Sequence, residues 1–115
     1  MTGKRNQLPK LTGEERARAL ELAAQARRRY AALKERVKSG TLSLTDAMVE
    51  EDAQRILVRQ LLQSVPGIGA SKAESIMRLY GIPKSRRVGG LGTRQRESLI
   101  ECERSGWKIP STMKQ

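Results

Sequence analysis

Val65-Pro66-Gly67-Ile68-Gly69-Ala70-Ser71-Lys72-Ala73 joins a glycine turn directly to the start of a helix, and the kind of fold turns on how it is read. A helix running into this stretch cannot continue through Pro66 and Gly67. Gly67 and Gly69 permit backbone angles closed to other residues and, lacking side chains, let an anion approach the amides. Ile68 is placed to turn inward and anchor the turn. Ser71-Lys72-Ala73-Glu74 has the form of a capping box opening the next helix. Amides at that helix start are free donors at the positive end of its dipole, and Lys72 adds a full charge. This is the form of a helix-hairpin-helix, which grips phosphate oxygens without reading bases. The plainer alternative is a glycine turn between two packed helices.

Working outward, helical periodicity dominates. A helix is expected over residues 53 to 64, with Val58, Leu61, Leu62 and then Val65 at core spacing, and Ala73, Ile76, Met77 and Tyr80 repeat it after the hairpin, with Gly81 as the stop. Thr93 is expected to cap a final helix to about Arg104 that buries Leu99, Ile100 and Cys102. On the N-terminal side, Thr12-Gly13-Glu14-Glu15 is a capping box, and residues 16 to 38 hold no Gly or Pro. The stripe Ala19, Ala23, Ala26, Tyr30, Leu33 and Val37 is mostly alanine, so this long helix should rest on the body over its second half only. Ser39-Gly40 ends it, and Ser43-Leu44-Thr45-Asp46 signals a short helix to about Asp52. No segment alternates with period two. The expected fold is all-α without a sheet. It divides into a mobile basic arm (1–11), a long basic helix (12–40), a helical DNA-binding core (41–108) and a flexible tail (109–115).

Composition says what such a fold is for. Of 115 residues, 23 are Lys or Arg and 12 are Asp or Glu, a net charge of +11. That excess points to a polyanion, beyond what solubility requires. Residues 1–40 carry +7, residues 41–60 carry −2 and residues 61–115 carry +6, so two basic regions flank an acidic one. The long helix's basic groups face either solvent or phosphate. A single cysteine, Cys102, excludes an internal disulfide, and the lack of histidine excludes a Cys/His zinc site. No apolar run approaches membrane-spanning length and the start lacks a signal peptide's apolar stretch, so no membrane association and a cytoplasmic location are expected. Tyr30, Tyr80 and Trp107 are the only aromatics. So few stacking platforms tilt the polyanion toward duplex backbone. Trp107 is expected to pack the tail onto the core.

The second basic constellation is Ser85-Arg86-Arg87-Val88-Gly89-Gly90-Leu91-Gly92-Thr93-Arg94, a glycine-rich loop with paired arginines opening into a helix. Guanidinium forks bind phosphate with two hydrogen bonds at once. The alternative is that Arg86 and Arg87 are solvated or pair with Glu97 and Glu101. Arg104 and Lys108 are weaker candidates. Catalysis is not expected. Glycosylases with this hairpin place a catalytic Asp about one helix beyond it, and no Asp follows Asp52. In lyase-type members the nucleophilic Lys matches the position of Ser71, with Lys72 out of register. No acidic metal cluster lies near the hairpin and no P-loop ending is present.

The succession from Leu61 to Leu99, with Leu-Leu-Gln-Ser-Val-Pro-Gly-Ile-Gly, Lys-Ala-Glu-Ser-Ile-Met and Gly-Ile-Pro-Lys-Ser-Arg-Arg-Val-Gly-Gly-Leu-Gly, resembles actinobacterial integration host factor. The Ala/Arg helix over 17–37 resembles that family's first helix, so the likeness covers residues 12 to 104. The same pattern is similar to the helix-two-turns-helix of a small-subunit ribosomal protein that binds RNA. The resemblance implies a monomeric nucleoid-associated protein without cofactors. Such a protein binds duplex DNA with little sequence preference, bends or compacts it, and assists a phage integrase complex. It further implies backbone contact at Gly67, Ile68, Gly69, Ala70, Ser71 and Lys72, and phosphate or minor-groove contact at Arg86 and Arg87, with Arg94 beside them. Where the family usually carries a third basic residue, two places after the pair, this chain has Gly89, which weakens that contact. An RNA- or ribosome-associated binder and an interaction module built on the long helix are the alternatives.

Overall fold

A computed structural model describes residues 12–108, so the expected arm at 1–11 and tail at 109–115 lie outside the described residues. Five helices follow one another, and no strand occurs among the described residues. Helix α1 (Gly13–Lys38) begins at the expected capping box. The Thr12 hydroxyl accepts from the Glu15 amide at 3.0 Å, and the Glu15 carboxylate accepts from the Thr12 amide at 2.9 Å. Twenty-six residues make a rod of about 39 Å. Only Leu33 and Val37 of α1 are buried, Tyr30 is half-buried, and Leu20 and Leu22 stay 65% and 59% exposed. The rod therefore docks by its second half, as its thin apolar stripe requires. Gly40, at φ +83°, ends it while the Thr41 amide reaches back to the Arg36 carbonyl at 3.0 Å.

Helix α2 (Leu44–Ala47) starts at Ser43, whose hydroxyl accepts from the Asp46 amide at 3.1 Å. A second cap arrives from far along the chain. The Glu103 carboxylate accepts from the amides of Leu44 and Thr45 at 2.7 and 2.9 Å, a charge well placed at a helix N-terminus. This helix stops at Ala47 rather than near Asp52, and a single 3-10 turn spans Glu51–Ala53.

Helix α3 (Val58–Ser64) is shorter than the residue 53 start that periodicity suggested. The residues before it are taken by a long-range pairing. The amides of Val88 and Gly89 donate to the carbonyls of Ile56 and Gln54, both at 2.9 Å, and the Val58 amide donates to the Arg86 carbonyl at 3.0 Å. These bonds hold 54–57 as a turn that opens into extended backbone only at Leu57, which forms an isolated antiparallel bridge with Arg87.

Helix α4 (Ala70–Leu79) starts from Gly69, not from a Ser71 cap, and no side chain caps it. Helix α5 (Thr93–Arg104) likewise starts from Gly92 rather than Thr93, the Gly92 amide donating to the Gln95 side chain at 3.0 Å. Around α3 and α4, the side chains of Val37, Leu44, Leu61, Leu62, Ile76, Val88 and Leu99 are fully buried and form the centre of one core. Cys102 joins that core, whereas Ile100 is only half-buried. Trp107, at φ +64° beyond Gly106, closes the C-terminal turn by donating its amide to the Cys102 carbonyl at 2.7 Å and is buried, as expected.

Candidate nucleic-acid interface

The hairpin is held from below and bare above. Ile68 is 5% exposed, and its amide donates to the Val65 carbonyl at 3.0 Å, which fixes the turn from inside. Gly67 has φ +89° and needs glycine for its backbone. Gly69 does not. Its φ of −94° is ordinary extended backbone, so the expectation that both glycines adopt special angles holds for Gly67 alone. What Gly69 supplies is room, because a Cβ built there meets nothing within 4 Å. The first hydrogen bond of α4 runs from the Ala73 amide to the Gly69 carbonyl. The amides of Gly69, Ala70, Ser71 and Lys72 consequently have no acceptor among the described residues. Four unsatisfied donors at a helix N-terminus make an anion cradle. Ser71 is exposed, and the half-buried Lys72 has no acidic partner among the described residues.

The second turn is built the opposite way. Arg86 is half-buried, and its Nη1 donates to the Gly90 carbonyl at 3.1 Å and to the Gln95 side-chain oxygen at 3.0 Å. Gln95 in turn donates to the Gly81 carbonyl at 3.1 Å. Arg87 is exposed, with Nη1 held by the Arg55 carbonyl. Neither arginine pairs with Glu97 or Glu101; Glu101 is taken by Arg104 at 3.3 Å. Arg94 stands exposed on the first turn of α5, without an ion pair among the described residues. Arg96, which sequence reasoning did not single out, is the main brace. Its Nη2 donates to the Val88 carbonyl at 2.8 Å, with longer bonds to Leu91, Met48 and Gln54 at 3.4 to 3.5 Å. At Gly89 an added Cβ would lie 3.0 Å from the Gln54 carbonyl oxygen, so the glycine at the third basic position is matched to the close pairing beneath it.

These turns sit at opposite ends of α3. The hairpin follows its C-terminus, and Arg86 and Arg87 pair with the chain at its N-terminus, a helix length of about 10 Å away. Two of the four acids in the acidic segment pair with α1. Asp52 pairs with Arg29 at 3.3 Å and Glu50 with Arg36 at 4.0 Å, and Glu103 caps α2. Among the described residues no cluster of His, Cys, Asp and Glu could hold a metal, and no helix is long and apolar enough to cross a membrane.

Comparison with known proteins agrees with this fold. Residues 33–102 match the model of the S13-like H2TH domain family. The chain is 47% identical to the integration host factor of Mycolicibacterium smegmatis over 98 residues, covering 82% of this chain and 93% of that protein. It is 45% identical to the integration host factor of Streptomyces coelicolor over 96 residues, covering 80% and 90% respectively. A solved structure of sIHF bound to an 8-base-pair palindromic DNA superposes with a TM-score of 0.67 at 40% identity, covering 70% of this chain and 96% of that one.

Proposed function

This chain belongs to the integration host factor family of mycobacteria and Streptomyces, and from that premise we propose that it is a non-enzymatic architectural protein that binds duplex DNA by its phosphate backbone. The observation that carries the reading is the bare N-terminus of α4, with four amides lacking acceptors above an open Gly69. A phosphate oxygen placed there meets aligned donors and the positive end of the helix dipole. Lys72 adds a charge from the same turn. Arg87 supplies a second phosphate contact from the other end of α3, with Arg86 and Arg94 beside it. Because amides and guanidinium groups address phosphates, the binding is expected to depend little on base sequence. Two grips set about 10 Å apart along α3 pull on separated phosphates, which is the means to bend or compact a duplex. A bent duplex is what such a protein would present to a phage integrase complex, and it would act as a monomer within the nucleoid.

The test is a competition titration over a salt series. Affinity for mixed-sequence duplex should fall with the logarithm of salt at about −0.9 per phosphate contacted. Equal or tighter binding to structured RNA would replace this reading with the RNA-associated one, to which the S13-like fold also lends itself.

A further inference from the structure

We infer that the groove between α1 and α3 belongs to the same DNA interface, as a track that carries one phosphate strand from the hairpin to the basic loop; the inference rests on the duplex-binding reading above. Tyr30, Lys34 and Lys38 follow one another at four-residue steps, so they share one stripe of α1. At one end of that stripe Tyr30 lines a cleft with Arg55 and Arg87, beside the basic loop. At the other end Lys34 and Lys38 line a cleft with Gln60, Gln63 and Ser64 of α3, the last two of which lead into the hairpin. The stripe from Tyr30 to Lys38 runs over eight residue steps, about 12 Å along the helix, which is close to the length of α3 that separates the two turns. With phosphates about 3.4 Å apart along a strand's axis, such a track faces three or four of them.

Ion pairing separates this stripe from the arginines that flank it, although Arg18 and Arg27 on α1 also lack an acidic partner among the described residues. Arg28, Arg29 and Arg36 are paired with Glu21, Asp52 and Glu50. Lys34, Lys38 and Arg55 have no acidic partner among the described residues, although Glu35 shares the lysines' cleft. Lys34 is half-buried, a position in which an unpaired ammonium gains most from a phosphate. The Tyr30 hydroxyl, also without a hydrogen-bond partner among the described residues, adds a donor beside Arg55 and Arg87. On this geometry α1 is not a separate second surface; its docked half extends the surface formed by the two turns.

The experiment measures affinity of the full chain for mixed-sequence duplex across a salt series. Lys34→Ala with Lys38→Ala should flatten the log–log slope by about 1.8, at 0.9 for each phosphate left without its lysine, while Lys34→Arg with Lys38→Arg keeps it. Amine acetylation of the unmodified protein gives a second readout, with Lys34 and Lys38 protected when duplex is bound. An unchanged slope and equal acetylation with and without duplex overturn the track, provided Gly69→Val still weakens binding. If the hairpin variant and Arg87→Ala also leave binding untouched, the duplex-binding reading falls with it.

Discussion

The two turns of this fold look alike in sequence, each a glycine-rich stretch leading into a helix, yet they are finished in opposite ways. The hairpin leaves the amides of residues 69 to 72 without acceptors and relies on Ile68 beneath. In the second turn Arg86, Gln95 and Arg96 close on carbonyls and side-chain oxygens, so its polar groups are spent on holding the loop. A site meant for a ligand can keep its donors free because Gly69, Ala70 and Ser71 are exposed and water satisfies their amides until an anion displaces it. A turn meant to present a side chain spends its donors on rigidity. On the proposed reading the second turn is therefore a platform for Arg87, and the first is the phosphate site.

Breaking the platform should have the largest effect. Arg96→Ala removes the guanidinium that holds the Val88 carbonyl at 2.8 Å and three further acceptors. It should lower stability by about 2 to 3 kcal/mol, since hydrogen bonds to charged groups are the strong ones, read as a shift in denaturation midpoint at constant slope. Loss of less than about 0.5 kcal/mol, the range of ordinary surface changes, would show that the loop holds without it.

The hairpin's two glycines separate next. Gly69→Val fits the extended backbone at φ −94°, so stability should stay level while duplex affinity falls tenfold or more, about 1.4 kcal/mol, because the side chain occupies the open space above the amides. Gly67→Val at φ +89° should instead cost about 1 to 2 kcal/mol of stability. If the two variants exchanged these signatures, the division between room and conformation would be wrong. Within the second turn, Arg86→Ala should cost about 1 kcal/mol of stability as a lost brace. Arg87→Ala should leave the melting curve in place and flatten the salt slope by about 0.9.

What could be read from sequence, and what could not, follows the same division between local and long-range causes. Thr12 and Glu15 form their box because both partners lie within one turn, and the alanine stripe of α1 showed that only its second half docks. Ser71 and Thr93 looked like caps by the same local rule, but a glycine precedes each of them and takes the cap position. The break in the helix over 54–57 was hidden because Ile56 and Val58 keep apolar residues where a helix would also want them, while the pairing that decides the matter comes from residues 86 to 89. Arg96 left no local signal either, since its acceptors at Met48, Gln54 and Val88 are brought together only by the fold. At the candidate site the hairpin residues and Arg87 were legible as residue types; the engagement of Arg86 inside the loop and the place of Lys34 and Lys38 beside α3 were not.

The smallest expected effect lies at the seam between the turns, where Tyr80 ends α4 immediately before Gly81. Burial pushes its phenol up from the ordinary 10.0 to about 12, and a hydrogen bond with the Cys102 side chain acts in the same direction. The folded state thus holds the proton more tightly than the unfolded chain. Above pH 10 the unfolded state binds fewer protons at this group, so its contribution to stability is complete below that pH and is lost as pH rises toward 12. Tyr80→Phe should leave the hairpin's duplex binding at neutral pH unchanged. It should also remove part of the alkaline decline in stability, seen as a difference between the two proteins that opens only above pH 10. A parallel decline in both proteins would mean that Tyr80 exchanges its proton in the folded state as readily as in the unfolded one, and that the seam does not contribute to alkaline stability.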